Sequence, residues 1–344
     1  MNHIERFYAT VERRPIDRPA SWLGIPDPKA IPALYSHFGV KNMDELKAVL
    51  GDDIYPVEIP YQSPESNAIY AAFNFANDGV INVEERTLTA PGFFENYSDP
   101  EKVNDFPWPD PEKYIDPEKC RQVVKAVPEG YAIMGIAWSS HFQDACAAFG
   151  METALIKMMM EPEMFKAVID RITEFYLKAN EIFYKATEGL IHAVLIGNDF
   201  GSQHNLMVSP DMLREFVLDG TRKMIEQAKR YDLKVVHHSC GSIYDIIPDL
   251  IELGVDVIHP IQALATKMEP DRLKRDFGAQ VSFCGGVDAQ YLLVKGTPED
   301  ISNKVNELAS IFPTGLIISP SHEAILTDIP PKNIEALFNT IKKL

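Results

Sequence analysis

Eight short runs rich in β-branched, aromatic or aliphatic residues punctuate this chain, and most are separated by longer segments whose apolar residues recur with helical spacing. The runs are ASWLGI (20–25), DIYPVEI (53–59), YAIMGIA (131–137), HAVLIGND (192–199), KVVHHSC (234–240), VDVIHPI (255–261), AQVSFCG (279–285) and GLIISPS (315–321). Strands that alternate with helices pair in parallel, because each crossover returns the chain to the same end of the sheet. Eight such units predict an α/β fold, a (β/α)8 barrel of the TIM type. Helix starts agree. A helix is expected over 209–231, with Ser209 as its cap and Pro210 in its first turn, and another from Thr297, followed by Pro298, Glu299 and Asp300. Residues 60–130 do not fit a single βα connection. They contain a hairpin-like run, NFANDGVINVEERTLTA, and a Pro-rich stretch, DFPWPDPEKYIDP. We expect one barrel domain over 1–344, with an N-terminal extension and with 60–130 inserted between the second and third strands over the barrel mouth.

Charge narrows the partners. The chain has 344 residues, with 33 Lys and Arg against 50 Asp and Glu, a net charge of −17. So acidic a surface repels phosphate backbones and anionic lipid, which argues against nucleic-acid and membrane partners. No run approaches the roughly 18 apolar residues of a spanning helix. The first residues, MNHIERFYATVERRPIDRP, lack the apolar core of a secretory signal, and Cys120, Cys146, Cys240 and Cys284 are too sparse for a disulfide framework. A cytoplasmic protein is expected.

The sharpest chemical signal is VVHHSCG (235–241), an apolar strand running into imidazole, hydroxyl and thiol. Side chains alternate along a strand, so His238 and Cys240 project to one side and His237 and Ser239 to the other. One imidazole and one thiol on a strand face suit zinc, and a barrel builds its active site where its strands end. A third ligand is sought in SPSHE (319–323), as His322 or Glu323. The plain alternative is a buried cysteine that only packs. Further polar residues stand at other strand ends. Asp199, Gln203 and Gln262 are candidate catalytic groups, and Asn198, His259 and Asp288 candidate cofactor contacts. Asp199 and Asp288 have competing roles as caps, and His259 as a satisfied histidine at the rim. Cys146 is expected to be buried and Met158, Met159 and Met160 to pack within an amphipathic helix. Phosphate-loop and nucleophile-elbow motifs are missing.

The segments VVHHSCGSIYDIIPDLIELGVDVIHPIQ, FCGGVDAQYLLVKGTPEDI and SPSHEAILTDIPPKNIEAL, with GNDFGSQHNLMVSPDMLREFV before them, resemble the uroporphyrinogen decarboxylase superfamily. That superfamily includes cobalamin-dependent methyltransferases, and the resemblance is specific from about Asn198 onward. It implies a (β/α)8 barrel. The decarboxylases carry an arginine-rich motif just after the first strand; here that place reads LGIPDPKA, and Arg13, Arg14 and Arg18 come before the strand. The methyltransferase branch has an H-x-C that supplies two zinc ligands, matched by His238 and Cys240. Where coenzyme M methyltransferases of this group place a third ligand, a Cys, this chain has His322, and where some have an acid after the sixth strand it has Gln262. The resemblance thus implies Zn2+ held by His238, Cys240 and His322. It implies methyl transfer between a corrinoid (methylcobalamin) and a thiol or methoxylated small molecule. Lacking D-x-H-x-x-G, the chain should receive the corrinoid on a partner protein, and the resemblance alone implies a homodimer. The alternative is a metal-free decarboxylase of a porphyrinogen or related polycarboxylate.

Overall fold

Nine strands occur among the residues that the computed structural model describes, 1–76 and 89–344. They are β1 (Ile25–Pro26), β2 (Ile54–Glu58), β3 (Ala132–Trp138), β4 (Ala193–Gly197), β5 (Lys234–His238), β6 (Val257–Ile261), β7 (Ser282–Val287), β8 (Leu316–Pro320) and β9 (Ala324–Ile325). Strands β2 to β8 lie in chain order in one sheet, every pair parallel. The eighth place in the ring is filled by residues 20–23. Trp22 N–H donates to the Ile318 carbonyl at 3.2 Å, Ile318 N–H to Ala20 at 2.8 Å, and Asp53 N–H to Ser21 at 3.2 Å. The segment therefore joins β8 to the start of β2 and closes a TIM-type barrel. The expected first strand, 20–25, makes only an isolated bridge at Ser21, and its regular pairing shifts to β1 beside β9.

Alternation along each strand divides the core in two. Leu195, Val236, Val257, Cys284 and Ile317 belong to an inner cluster with Met134, Ile136 and Trp22, whereas Val194, Val235, Ile258, Phe283 and Ile318 join the outer cluster under the helices. Strands β4, β6, β7 and β8 are buried at every residue, as a parallel sheet covered on both faces requires. Phe7 and Val11, from the helix His3–Val11, extend the inner cluster. That helix starts at Asn2, whose side chain and that of Glu5 form a reciprocal capping box.

Three parts of the chain meet at Asp53. Its buried carboxylate accepts from His3 Nδ1 at 2.7 Å, Arg6 Nη1 at 2.6 Å, Arg18 Nη1 at 2.8 Å and Ser21 N–H at 2.9 Å. Burial works to raise the acid's pKa, but His3, Arg18 and Arg6 outweigh it and the carboxyl titrates below its ordinary value. The N-terminal helix, the closing segment and β2 are thereby fixed together.

Some expectations need correction. The helix expected over 209–231 divides at Val217 (φ −121°) into Pro210–Phe216 and Leu218–Lys229, although Ser209 does cap the first piece. The Val217 carbonyl lies 3.1 Å from His141 Nε2 and accepts from Thr221 N–H at 3.2 Å. Met158 is buried, but Met159 and Met160 are each 73% exposed, so packing accounts for only one of the three. Cys146 and Cys284 are buried. The hairpin-like run falls largely on residues 77–88, outside the described residues; Ala76 and Gly92, on its flanks, form an antiparallel bridge. Phe73, Phe75, Phe94, Phe106 and Trp108, between β2 and β3, make an aromatic cluster, and Phe73 packs on Phe175 of the helix Pro162–Ala186 at 4.7 Å. No described helix is long and apolar enough to cross a membrane.

Because the folded pKa of Asp53 lies below its unfolded value of about 3.9, its stabilisation is present above that value and is lost as pH falls through the folded pKa. We expect Asp53→Asn to cost about 3–5 kcal/mol at neutral pH, and the gap to the native protein to shrink on acidification. Denaturant titrations over a pH series measure both.

Candidate functional site

The strand β5 delivers His238 to the end of the barrel, and the loop after it delivers Cys240. Because Val236 faces the barrel interior, alternation sends His238 the same way and His237 outward, where its ring lies 5.6 Å from Phe200. Neighbouring strands then hold the loop. Cys240 N–H donates to Asp199 Oδ1 at 2.9 Å, Gly241 N–H to Gln262 Oε1 at 2.7 Å, and Phe200 N–H to Ser239 Oγ at 2.9 Å. Gly241 sits at φ +82°, and a Cβ there would come within 2.5 Å of the Gly201 backbone, so the turn takes only glycine.

Around His238 the donors converge. Its Nε2 lies 3.5 Å from Cys240 Sγ and 3.2 Å from Asp199 Oδ1; its Nδ1 lies 3.0 Å from His259 Nδ1 and 3.5 Å from Glu323 Oε2. Asp199, His238 and Cys240 form one group whose ligand atoms are all within 4.8 Å of one another, and His238, His259 and Glu323 form a second. His322 lies outside both groups: its ring is 6.5 Å from that of His238, edge to face, and its Nδ1 accepts from Ala324 N–H at 3.0 Å. The side chains of Asp199 and His322 are 41% and 44% exposed, so that flank of the group is open, while His259 and Glu323 close the other.

The electrostatics favour charge on this open flank. Burial raises the Cys240 thiol, but hydrogen bonds with His238 and His322 and the charge of His238 bring it below its ordinary value. For Asp199 burial again opposes ionisation, and the hydrogen bond and charge of His238 with the Cys240 N–H hold the carboxyl well below its usual range. Burial would lower His238, yet Glu323, Asp199 and Cys240 raise it well above 6.5. His322 is raised, chiefly by its hydrogen bond with Cys240. Burial, then His238, holds His259 well below 6.5.

The nine residues singled out by sequence separate on placement. His238, Cys240, His322, Asp199 and His259 come together. Gln262 lies beside them, but its side-chain oxygen is taken up by the Gly241 backbone, so it shapes the loop. Three expectations are corrected. Asn198, expected at a cofactor, is 1% exposed, with its amide engaged by Phe142 N–H at 2.7 Å and by His141. Asp288 caps the turn before the helix Leu292–Lys295 by accepting from the N–H groups of Gln290, Tyr291 and Leu292. Gln203 is exposed, and the contact it makes to the loop after β6 is through its carbonyl, which accepts from Thr266 N–H. His259 is not at the rim: it is fully buried and its Nε2 has no hydrogen-bond partner.

Sequence reasoning missed one neighbour and misplaced another. Trp138, at the last residue of β3, places its ring 5.9 Å from His238, edge to face, with φ at +53°. An aromatic residue directly after an apolar run was its only signal. Glu323 was weighed as a ligand, whereas here its carboxylate lies behind the His238 ring, on the Nδ1 side.

The sequence profile of the uroporphyrinogen decarboxylase (URO-D) family matches residues 79–344. A methylated-thiol–coenzyme M methyltransferase of Methanosarcina mazei is 24% identical over 217 residues, 61% of this chain and 54% of that protein. The chain thus spans about half the length of this relative. Among solved structures, a methyltransferase from Methanosarcina mazei aligns over 100% of this chain and 99% of its own, with TM-score 0.69 and 15% identity. A putative vitamin-B12-independent methionine synthase from Listeria monocytogenes aligns over 95% and 98%, with TM-score 0.50 and 14% identity. At these identities the structural likeness concerns the fold.

Substitutions should separate loop geometry from capping. Gly241→Ala is expected to destabilise by more than about 2 kcal/mol, from strain and close contact together. Asp288→Ala should cost about 1 kcal/mol, as a lost cap does, and leave the His238 group undisturbed. Chemical denaturation gives the first comparison, and the 1H–15N spectrum of the histidine rings the second.

Proposed function

Since the chain belongs to the uroporphyrinogen decarboxylase family, we propose that it is a zinc-dependent methyltransferase that moves a methyl group between a corrinoid carried by a partner protein and a thiol or methoxylated small molecule. The observation that carries this reading is the meeting of His238 Nε2 and Cys240 Sγ at 3.5 Å, with Asp199 and His322 beside them, on the open flank of the site. Nitrogen, sulfur and carboxylate oxygen are the donors that zinc takes, and a lowered thiol is the form in which cysteine ligates. His238, Cys240 and His322 would hold the ion, with Asp199 as a further oxygen at the same place. When bound, zinc supplies Lewis acidity that keeps a substrate thiol as thiolate or polarises an ether oxygen.

The chain's own residues do the rest. Asp199 fixes the Cys240 backbone, Gln262 fixes Gly241, and Trp138 walls the His238 ring. The described parts of the segment 60–130, in this reading, receive the corrinoid protein at the mouth. The decarboxylase alternative gains nothing from the arginines ahead of the closing segment. Arg18 is bound to Asp53, Arg13 hydrogen-bonds Ser282 and Arg14 pairs with Glu12.

Elemental analysis of untagged protein, beside Cys240→Ala and His322→Ala prepared identically, tests the reading. We expect about one zinc per chain, lost in Cys240→Ala and bound at least about tenfold more weakly in His322→Ala. Methyl transfer from methylcobalamin to small thiols should stop on chelation. Absence of zinc after reconstitution, or transfer that survives chelation, overturns it.

A further inference from the structure

We propose that His259 is the positioning residue of His238: its Nδ1 accepts the His238 Nδ1–H and so directs the His238 Nε2 lone pair toward Cys240 and a bound metal. The proposal rests on the reading of His238 as a metal ligand. It begins from two nitrogens. The Nδ1 atoms of His238 and His259 are 3.0 Å apart, a separation that calls for one proton between them. A ligating imidazole must present a bare nitrogen, and the nitrogen of His238 that faces Cys240 and Asp199 is Nε2. The proton of His238 therefore belongs on Nδ1, and His259 must accept it. His259 in turn carries its own proton on Nε2.

The surroundings enforce this arrangement. His238 and His259 are paired residues of neighbouring strands, and Ser239 N–H donates to the His259 carbonyl at 2.8 Å. Val236 and Val257, two residues before each, both face the barrel interior, so the two rings share that face. His259 is fully buried. Its Nε2 has no hydrogen-bond partner, and the ring centroids of His259 and Trp22 are 5.1 Å apart, tilted by 58°. Metal-binding histidines commonly give their second N–H to a carboxylate or a backbone carbonyl. Here Glu323 stands 3.5 Å from the same Nδ1, farther than His259, and its Oε2 has no hydrogen-bond partner. The acceptor is thus a neutral ring, with the carboxylate as a charge nearby.

The test uses full-length protein with 15N-labelled histidine and two variants. His259→Asn keeps an acceptor oxygen at the place of Nδ1, and His259→Leu has none. Long-range 1H–15N correlation should show His259 protonated at Nε2 in the protein as purified, and His238 protonated at Nδ1 once zinc is added. Zinc Kd, by competition with a chromophoric chelator, should rise about 10–100-fold in His259→Leu and stay within about threefold of native in His259→Asn. A His259 protonated at Nδ1, equal weakening in the two variants, or greater weakening in Glu323→Gln than in His259→Leu would overturn the proposal. If native protein binds no zinc, the zinc reading fails, and the tautomer of His259 still decides the pairing by itself.

Discussion

The site depends on the register of β5 between β4 and β6. Gly197 stands opposite His238 on one side and His259 on the other. A Cβ at Gly197 would come within 2.1 Å of the His238 carbonyl, so the close approach of the two strands requires glycine there. A slip of one residue would turn His237 and Ser239 inward and send His238 and Cys240 into the helical layer. The slip is opposed by burial, because it would also exchange the inner cluster residue Val236 for its outward neighbours. Packing that is indifferent to chemistry thus fixes which imidazole and which sulfur face the mouth.

The charges of this molecule are arranged with opposite effect at its two functional extremes. Around Asp53, Arg6, Arg18 and the His3 ring surround one buried carboxylate. This arrangement joins the N-terminal helix to the closing segment, and it serves stability. Around His238 the groups are more numerous and less complete: His259 Nε2, Glu323 Oε2 and the indole nitrogens of Trp22 and Trp138 are buried without hydrogen-bond partners. This incomplete pairing falls at the candidate site, where a consistent fold most often departs from its own rules.

Asn198 and Asp288 are as polar, and as near strand ends, as Asp199. What separates them is the backbone N–H each one meets: Phe142 for Asn198 and the turn 290–292 for Asp288, against Cys240 itself for Asp199. The identity of a hydrogen-bond partner across 41 residues of chain is not written in local pattern. Trp138 escaped notice for a related reason, since its ring reaches His238 only after the sheet curls. The regular helical pattern breaks at Val217 (φ −121°), beside a histidine 76 residues earlier whose Nε2 lies 3.1 Å from its carbonyl, a contact that local pattern does not show.

By itself the sequence determined the alternation of strand and helix, hence the barrel, and it determined that His238 and Cys240 share a face, because a period of two is local geometry. It also carried the helix starts at Ser209 and Thr297, whose caps need only the next three residues. The tertiary structure decided what depends on closure. Residues 20–23 became the eighth wall by bonding to both Ile318 and Asp53, and His322, from the far end of the chain, came to Cys240. It set His259 against the back of His238. These groups stand on different strands, β5 beside β6 and β8 beyond β7, and only the ring of the barrel brings them to one end.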